Sequence, residues 1–142
     1  NNNFKILATD ISDEALEVAV LNREKHHAKN VTIVQSNWMS CAAENSLDLI
    51  ISNPPYLKSN DAHLADLKHE PLLALTSENG SESFYEIASQ GIHSLKPGGK
   101  IIFEHGCAQA EEVMNILKNL GFKNIISKQD LQGLDRYTYA NK

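Results

Sequence analysis

Asn53-Pro54-Pro55-Tyr56 is the stretch of this chain best equipped for chemistry, and what it can handle is a planar NH2 group. The Asn53 carboxamide brings one acceptor and two donors. The Pro54 carbonyl brings a second acceptor beside Pro55, which has no N–H of its own. Two acceptors in one place can each hold one N–H of an amide or an exocyclic amine, leaving the nitrogen lone pair to point along the one open direction. Tyr56 adds a flat face on which an amide or a base can stack. Such a pocket orients a weak nitrogen nucleophile with no acid, base or metal. The same four residues also suit a plain strand-ending turn, since Asn-Pro marks turns.

The elements around the motif decide between these uses. Leu47, Asp48, Leu49, Ile50 and Ile51 form a short apolar run that stops at the double proline, which reads as a buried parallel strand. Asn53 then sits at a strand's C-terminal end, the edge where open α/β sheets bind ligands, and the following proline holds it extended. Earlier in the chain, Lys5 to Thr9 is a strand ending at Asp10. Ser12 is an N-cap for a helix with Asp13 and Glu14 in its first turn, Arg23 and Lys25 near its end, and His26 and His27 closing it. Ala15, Leu16, Ala19 and Val20 give that helix one apolar face, and Val31 to Gln35 completes a strand-helix-strand crossover of a parallel sheet.

Downstream, Leu57 to about Asn79 reads as a long loop over the cleft with some helix near His63 to Leu67. Phe84 to Leu95 reads as a helix. Lys96-Pro97-Gly98-Gly99 then turns the chain into a strand from Lys100 to Glu104; no helix starting with Lys and Ser/Thr follows the glycines, so they make a turn and not a phosphate loop. Gln109 to Leu120 is a helix stopped by Gly121, and Lys123 to Lys128 with Tyr137 to Asn141 make a closing hairpin. The fold class is α/β: a mostly parallel sheet flanked by helices, with an antiparallel strand near one edge.

Composition narrows the setting. The 142 residues, 42% hydrophobic and 22% charged, are enough for one domain with a real core. A net charge of -5 lacks the footprint of a protein that grips a polyanion, which weighs against nucleic acid. Cys41 and Cys107 have no paired spacing and read as reduced cytoplasmic thiols. No apolar run approaches a membrane span, and the N-terminal residues carry no signal-peptide pattern. The six histidines are dispersed, with no ligand spacing and no Ser/His/Asp arrangement, so no metal is implied; His105, at a strand end, is expected to line the cleft. Asp10 ends a strand where a carboxylate can accept from both hydroxyls of a ribose, and equally where a loop aspartate precedes a helix. Trp38, the one tryptophan, is by type more a core residue than a ligand platform.

Taken together, Asn53-Pro54-Pro55-Tyr56, Asp10, Gln35-Ser36-Asn37-Trp38, Glu70-Pro71 with Ala74-Leu75, Glu104-His105-Gly106 with Gln109, and Asp130-Leu131 with Gly133 and Arg136 resemble the HemK/PrmC family. The resemblance runs from about residue 4 to about residue 140. It implies a Rossmann-like class I sheet and S-adenosylmethionine-dependent methylation of the glutamine side chain in the Gly-Gly-Gln motif of peptide chain release factors. By that resemblance Asn53, Pro54, Pro55 and Tyr56 are catalytic. Asp10 and Trp38 hold the nucleoside, Ile11 packs on the adenine, Asn37 accepts from the adenine amino group where the family usually has Asp, and Asn53 also touches the donor. Glu70, Glu104, Asp130 and Arg136 receive no chemical step; for Glu70-Pro71 and the Asp130 to Arg136 segment the plain reading is loop anchoring by buried ion pairs or hydrogen bonds. Two rival readings remain: an adenine or guanine amino methyltransferase acting on RNA or DNA, which would need to capture a base and grip phosphates, and an inactive remnant that binds a partner.

The first glycine is Gly80, and the resemblance starts at the second strand of the family's sheet. The expectation is a single, N-terminally incomplete catalytic domain, residues 1-142, without the first strand and its glycine-rich loop. The strands ending at Thr9 and Ser52 would then border a gap with unpaired backbone groups. Residues 1-142 alone should therefore bind S-adenosylmethionine weakly or not at all. Calorimetry giving a low-micromolar affinity, roughly -8 kcal/mol, would show that the missing segment is dispensable.

Overall fold

The computed structural model describes residues 4–58, 72–77 and 80–142. They form two compact units, Asn1–Ala42 and Ala43–Lys142.

The first unit is the expected crossover. β1 (Ile6–Asp10) and β2 (Val31–Gln35) pair in parallel from Ile6 opposite Val31 to Asp10 opposite Gln35, and α1 (Asp13–Lys25) connects them. Ser12 caps α1, its hydroxyl accepting from the Ala15 N–H at 3.2 Å. The acidic first turn and basic last turn complement the helix dipole. That Ser12 hydroxyl also donates to Glu14, which holds the Glu14 carboxyl below its ordinary range. Ala15, Leu16, Ala19 and Val20 are half-buried, as one apolar face requires, while Val18 and Leu21 are exposed. Among its described residues this unit has no fully buried apolar side chain.

The second unit holds the core. β3 (Leu47–Ser52), β6 (Leu95–Glu104), β8 (Asp135–Asn141) and β7 (Lys123–Gln129) form one sheet in the order β3-β6-β8-β7. β3 and β6 are parallel, and β8 runs antiparallel to both its neighbours. One sheet face carries Ile50, Ile101, Phe103, Thr138 and Ala140, all buried, with Ile50 opposite Ile101 and Phe103 opposite Thr138. α3 (Glu82–Ser94) and α4 (Ala110–Asn119) supply the other half of this core through Phe84, Ile87, Ala88, Val113 and Leu117. α3 also carries a glycine in its interior, where glycine costs about 1 kcal/mol against alanine. A Cβ on Gly91 would come within 3.1 Å of Ile50 Cδ1 and 3.3 Å of Ile101 Cδ1, so close packing on β3 and β6 explains the residue.

Three details differ from the sequence reading. β6 starts at Leu95, and its first residues bulge: Leu47 faces Leu95 but Leu49 already faces Lys100. Lys96 to Gly99 fill that bulge, Gly98 at φ 78°. The turn there is an irregularity inside a strand and leaves Lys142 clamped across it, its N–H donating to the Gly99 carbonyl at 2.9 Å and its ammonium to the Leu95 carbonyl at 2.7 Å. The long stretch after Tyr56 is not wholly loop, because β4 (Leu57–Lys58) pairs in parallel with β5 (Thr76–Ser77), which directly follows α2 (Leu72–Leu75). The helix expected near His63 to Leu67, and the pair Glu70-Pro71, lie outside the described residues. No described helix is long and apolar enough to cross a membrane.

Phe84 is fully buried and touches two aromatic neighbours, so truncating it opens a cavity as well as losing transfer energy. Phe84→Ala should lower stability by roughly 3–5 kcal/mol, read from the urea unfolding midpoint.

Candidate active site

β3 delivers the motif where the sequence reading expects it. Ser52 is the last strand residue and faces Phe103, so Asn53 follows at the C-terminal edge, level with the end of β6. Pro54 is buried and anchors the loop, Pro55 and Tyr56 are half-buried, and Asn53 is exposed. Among the described residues nothing hydrogen-bonds the Asn53 carboxamide, and no backbone N–H takes up the Pro54 carbonyl. A carboxamide presented on a proline-stiffened loop is free to bind an outside amide.

The Tyr56 ring is held from behind. It stacks on Phe84 with ring centres 6.5 Å apart and planes 13° apart, and Phe84 meets Phe103 edge-on at 5.3 Å. Gly106 borders the same ring: a Cβ there would lie 3.7 Å from Tyr56 Cε2 and 3.0 Å from Gln109 Oε1. The Gln109 carboxamide accepts from the Gly106 N–H at 3.0 Å and donates to the carbonyls of Tyr56 at 3.3 Å and Gly80 at 2.9 Å. Gln109 is the N-cap residue of α4, yet its side chain makes no cap bond because it is used here.

His105 does not line a cleft. It is fully buried, its Nδ1 3.0 Å from the Gly106 carbonyl and its Nε2 2.8 Å from Thr138 Oγ1. A carbonyl only accepts, so Nδ1 carries a proton, and in the neutral ring Nε2 accepts from the Thr138 hydroxyl. The side chain that follows Glu104 points into the sheet because β6 alternates: Ile101, Phe103 and His105 share the buried face, while Glu104 is exposed.

The Asp130 to Arg136 segment is a built turn, as loop anchoring requires. Asp130 Oδ1 accepts from the N–H groups of Gln132 at 2.9 Å and Leu134 at 3.1 Å, and Oδ2 takes Arg136 Nε at 3.2 Å and the Arg136 terminal nitrogen at 3.1 Å. The Leu134 N–H first, then Gln132 and the guanidinium, hold the Asp130 carboxyl below its ordinary range against partial burial. Asp130 in turn raises the Arg136 guanidinium, chiefly through their hydrogen bonds. The Arg136 carbonyl accepts the His105 N–H at 3.0 Å, tying the turn to the end of β6.

The remaining candidates lie together in the first unit, at the C-terminal ends of its paired strands. Asp10 is exposed; its Oδ1 accepts from the Ser12 N–H at 2.9 Å, and Oδ2 has no hydrogen bond among the described residues. The Gln35 side chain donates to the Ile11 carbonyl at 3.2 Å, fixing the loop on which Ile11 is exposed. Buried Ser36 pins the next turn, its hydroxyl accepting from the Cys41 N–H at 3.3 Å and lying 3.0 Å from the Ser40 hydroxyl. That turn holds Trp38 at φ 52°, a conformation costly for a bulky side chain, and leaves the ring half-buried and Asn37 exposed. Asp10 Oδ2, the exposed Ile11 side chain and the Trp38 ring thus offer a hydrogen-bond acceptor and two apolar surfaces within this unit. Before Gly80 there is no glycine to let the backbone approach a cofactor's tail.

Sequence reasoning grouped Gln109 with the Glu-His-Gly run but gave it no task, and it missed Phe84 as the partner of Tyr56. An aromatic in the first turn of a helix, otherwise unexplained, was the available signal for the second.

The fold is that of the S-adenosylmethionine-dependent methyltransferases. A methyltransferase from Pyrococcus furiosus superposes with a TM-score of 0.70 at 21% identity, over 97% of this chain and 62% of that one. A SAM-dependent methyltransferase from Aquifex aeolicus does so with a TM-score of 0.63 at 17% identity, over 96% and 68%. The chain belongs to the methyltransferase small domain family, whose profile matches residues 1–74. It is also 39% identical, over 138 residues, to the release factor glutamine methyltransferase of Vibrio cholerae, covering 94% of this chain and 48% of that protein. The chain spans about half the length of the curated relatives it matches.

The hydrogen bonds to Asp130 carry a pH signature. Its lowered folded-state pKa means the contribution to stability is present above the unfolded carboxylate pKa and is lost as pH falls through the folded one. Asp130→Asn should therefore lower the urea midpoint at neutral pH, and the difference from wild type should shrink steadily on acidification. A difference that stays constant down to the acid transition would rule out this linkage.

Proposed function

We propose that the protein carrying this sequence transfers the methyl group of S-adenosylmethionine to the side-chain nitrogen of a protein glutamine, the Gly-Gly-Gln glutamine of peptide chain release factors. The observation that carries the reading is the Asn53 to Tyr56 loop: a carboxamide and a carbonyl without a hydrogen-bond partner among the described residues, stiffened by two prolines, beside an aromatic ring stacked on a buried phenylalanine. The relatives named as release factor glutamine methyltransferases support the choice of a protein amide over a nucleobase, and a net charge of -5 points the same way. The exposed, free cysteines suit a cytoplasmic setting.

S-adenosylmethionine, when bound, supplies an electrophilic methyl group on a sulfonium. Asp10 would accept from its ribose, Ile11 and Trp38 would cover its adenine, and Asn37 would accept from the adenine amino group. Asn53 and the Pro54 carbonyl each hold one N–H of the substrate amide, so the nitrogen is rotated to present its lone pair. Pro55 keeps the loop from yielding, and Tyr56 covers the amide plane. Transfer would break the methyl–sulfur bond, leaving a neutral thioether, as the N–CH3 bond forms, and the methylated nitrogen would release one N–H proton to water; what the loop supplies is alignment, a term that reaches roughly 7 to 11 kcal/mol in well-oriented systems.

The full-length protein carrying this sequence, given labelled methyl donor and offered a release factor, RNA and DNA side by side, should label the release factor alone. Label on the nucleic acid would favour the base-methylating reading, and none anywhere the binding remnant. Asn53→Ala should cut turnover by about 10²-fold or more while the unfolding midpoint stays that of the wild type. Near-full turnover would remove Asn53 from the mechanism.

A further inference from the structure

Gln109 spends its carboxamide on three segments that are far apart in sequence. One N–H goes to the Tyr56 carbonyl at the end of the motif, the other to the Gly80 carbonyl just ahead of α3, and the oxygen receives the Gly106 N–H past the end of β6. Only a primary amide on a two-methylene stem can serve all three. Glutamate would set a second acceptor against two carbonyls, methionine would leave all three backbone groups without a partner, and asparagine is a methylene too short. Gly106 has no side chain where a Cβ would stand 3.0 Å from Gln109 Oε1, so its backbone admits the carboxamide.

From this geometry we infer that Gln109 is the positioning residue of the Asn53 to Tyr56 loop: it ties the loop's last carbonyl to the ends of two other elements and so sets the angle at which Asn53 and the Tyr56 ring meet a substrate. The inference rests on reading that loop as the amide-binding site. It makes Gln109 act through Tyr56, with no contact to substrate. The bond to Tyr56 is the longest of the three, at 3.3 Å against 2.9 and 3.0 Å.

The test uses the full-length protein with Gln109→Met and Gln109→Glu. Both should lower kcat at neutral pH by about 10²-fold, the cost of a misplacement of about 1 Å, with KM for S-adenosylmethionine unchanged. Gln109→Glu should recover activity as pH falls, since its protonated carboxyl can again donate to one carbonyl, whereas Gln109→Met should show the wild-type pH profile at its lower level. Wild-type kcat in Gln109→Met, or no difference in pH profile between the two variants, would overturn the inference. Hydrogen exchange provides a measure that needs no substrate. In Gln109→Met, the peptides covering Tyr56–Lys58 and Thr76–Ser77 should exchange faster while those of β8 do not change. Unchanged exchange at Tyr56–Lys58 would refute the positioning role even if the protein proved to methylate something other than glutamine.

Discussion

The parallel register of β3 on β6 is the constraint on which the candidate site depends. Ile50 faces Ile101 and Ser52 faces Phe103, so Asn53 leaves β3 level with Glu104, the last residue of β6. A slip of one residue would turn Ile50 out of the core and Ile51 into it, and would carry the motif to the wrong face. The register is fixed from both sides: Ile50, Ile101 and Phe103 are buried against α3 and α4, and Gly91 lets α3 come close enough to lock the first two. A bulge from Lys96 to Gly99 absorbs the extra residues, so the mismatch in strand length ends before the register that matters begins.

Much of this was legible in the chain itself. The apolar runs at Ile6, Val31 and Leu47 were read as strands because nothing else fits runs so short, and Ser12 was read as a cap because the first turn after it is acidic. The motif could be placed at a strand end because two prolines must stop a strand. What was not legible depends on segments meeting at a distance. The Gln109 bond to Tyr56 spans 53 positions, and no local pattern announces it. His105 was expected in a cleft because it ends a strand; the alternation begun at Ile101 points it inward instead, and Thr138, from a strand read only as part of a hairpin, satisfies it.

The motif loop and the Asp10 and Trp38 loops are built on different physical terms, each within its own unit. The motif loop sits on a core of fully buried side chains and is held by stacked rings and a shared carboxamide. The Asp10 and Trp38 loops rest on a crossover whose described apolar side chains are all at least partly open to solvent. Their order comes from local hydrogen bonds, Ser12 on Asp10, Gln35 on Ile11 and Ser36 on Cys41, rather than from burial. Segments with few buried apolar contacts belong to the low-stability end of a fold, where local opening costs least.

Trp38 has an optical consequence. It is the only tryptophan in these 142 residues, and it sits half-buried in a left-handed turn pinned by Ser36. Indole emission from this chain therefore originates at a single spot, the turn at the end of β2. Its colour and quenching report on that turn's polarity and on whatever stacks there, with no background from the core of β3, β6, α3 and α4. The chain carries its own fluorophore on the loop that follows β2.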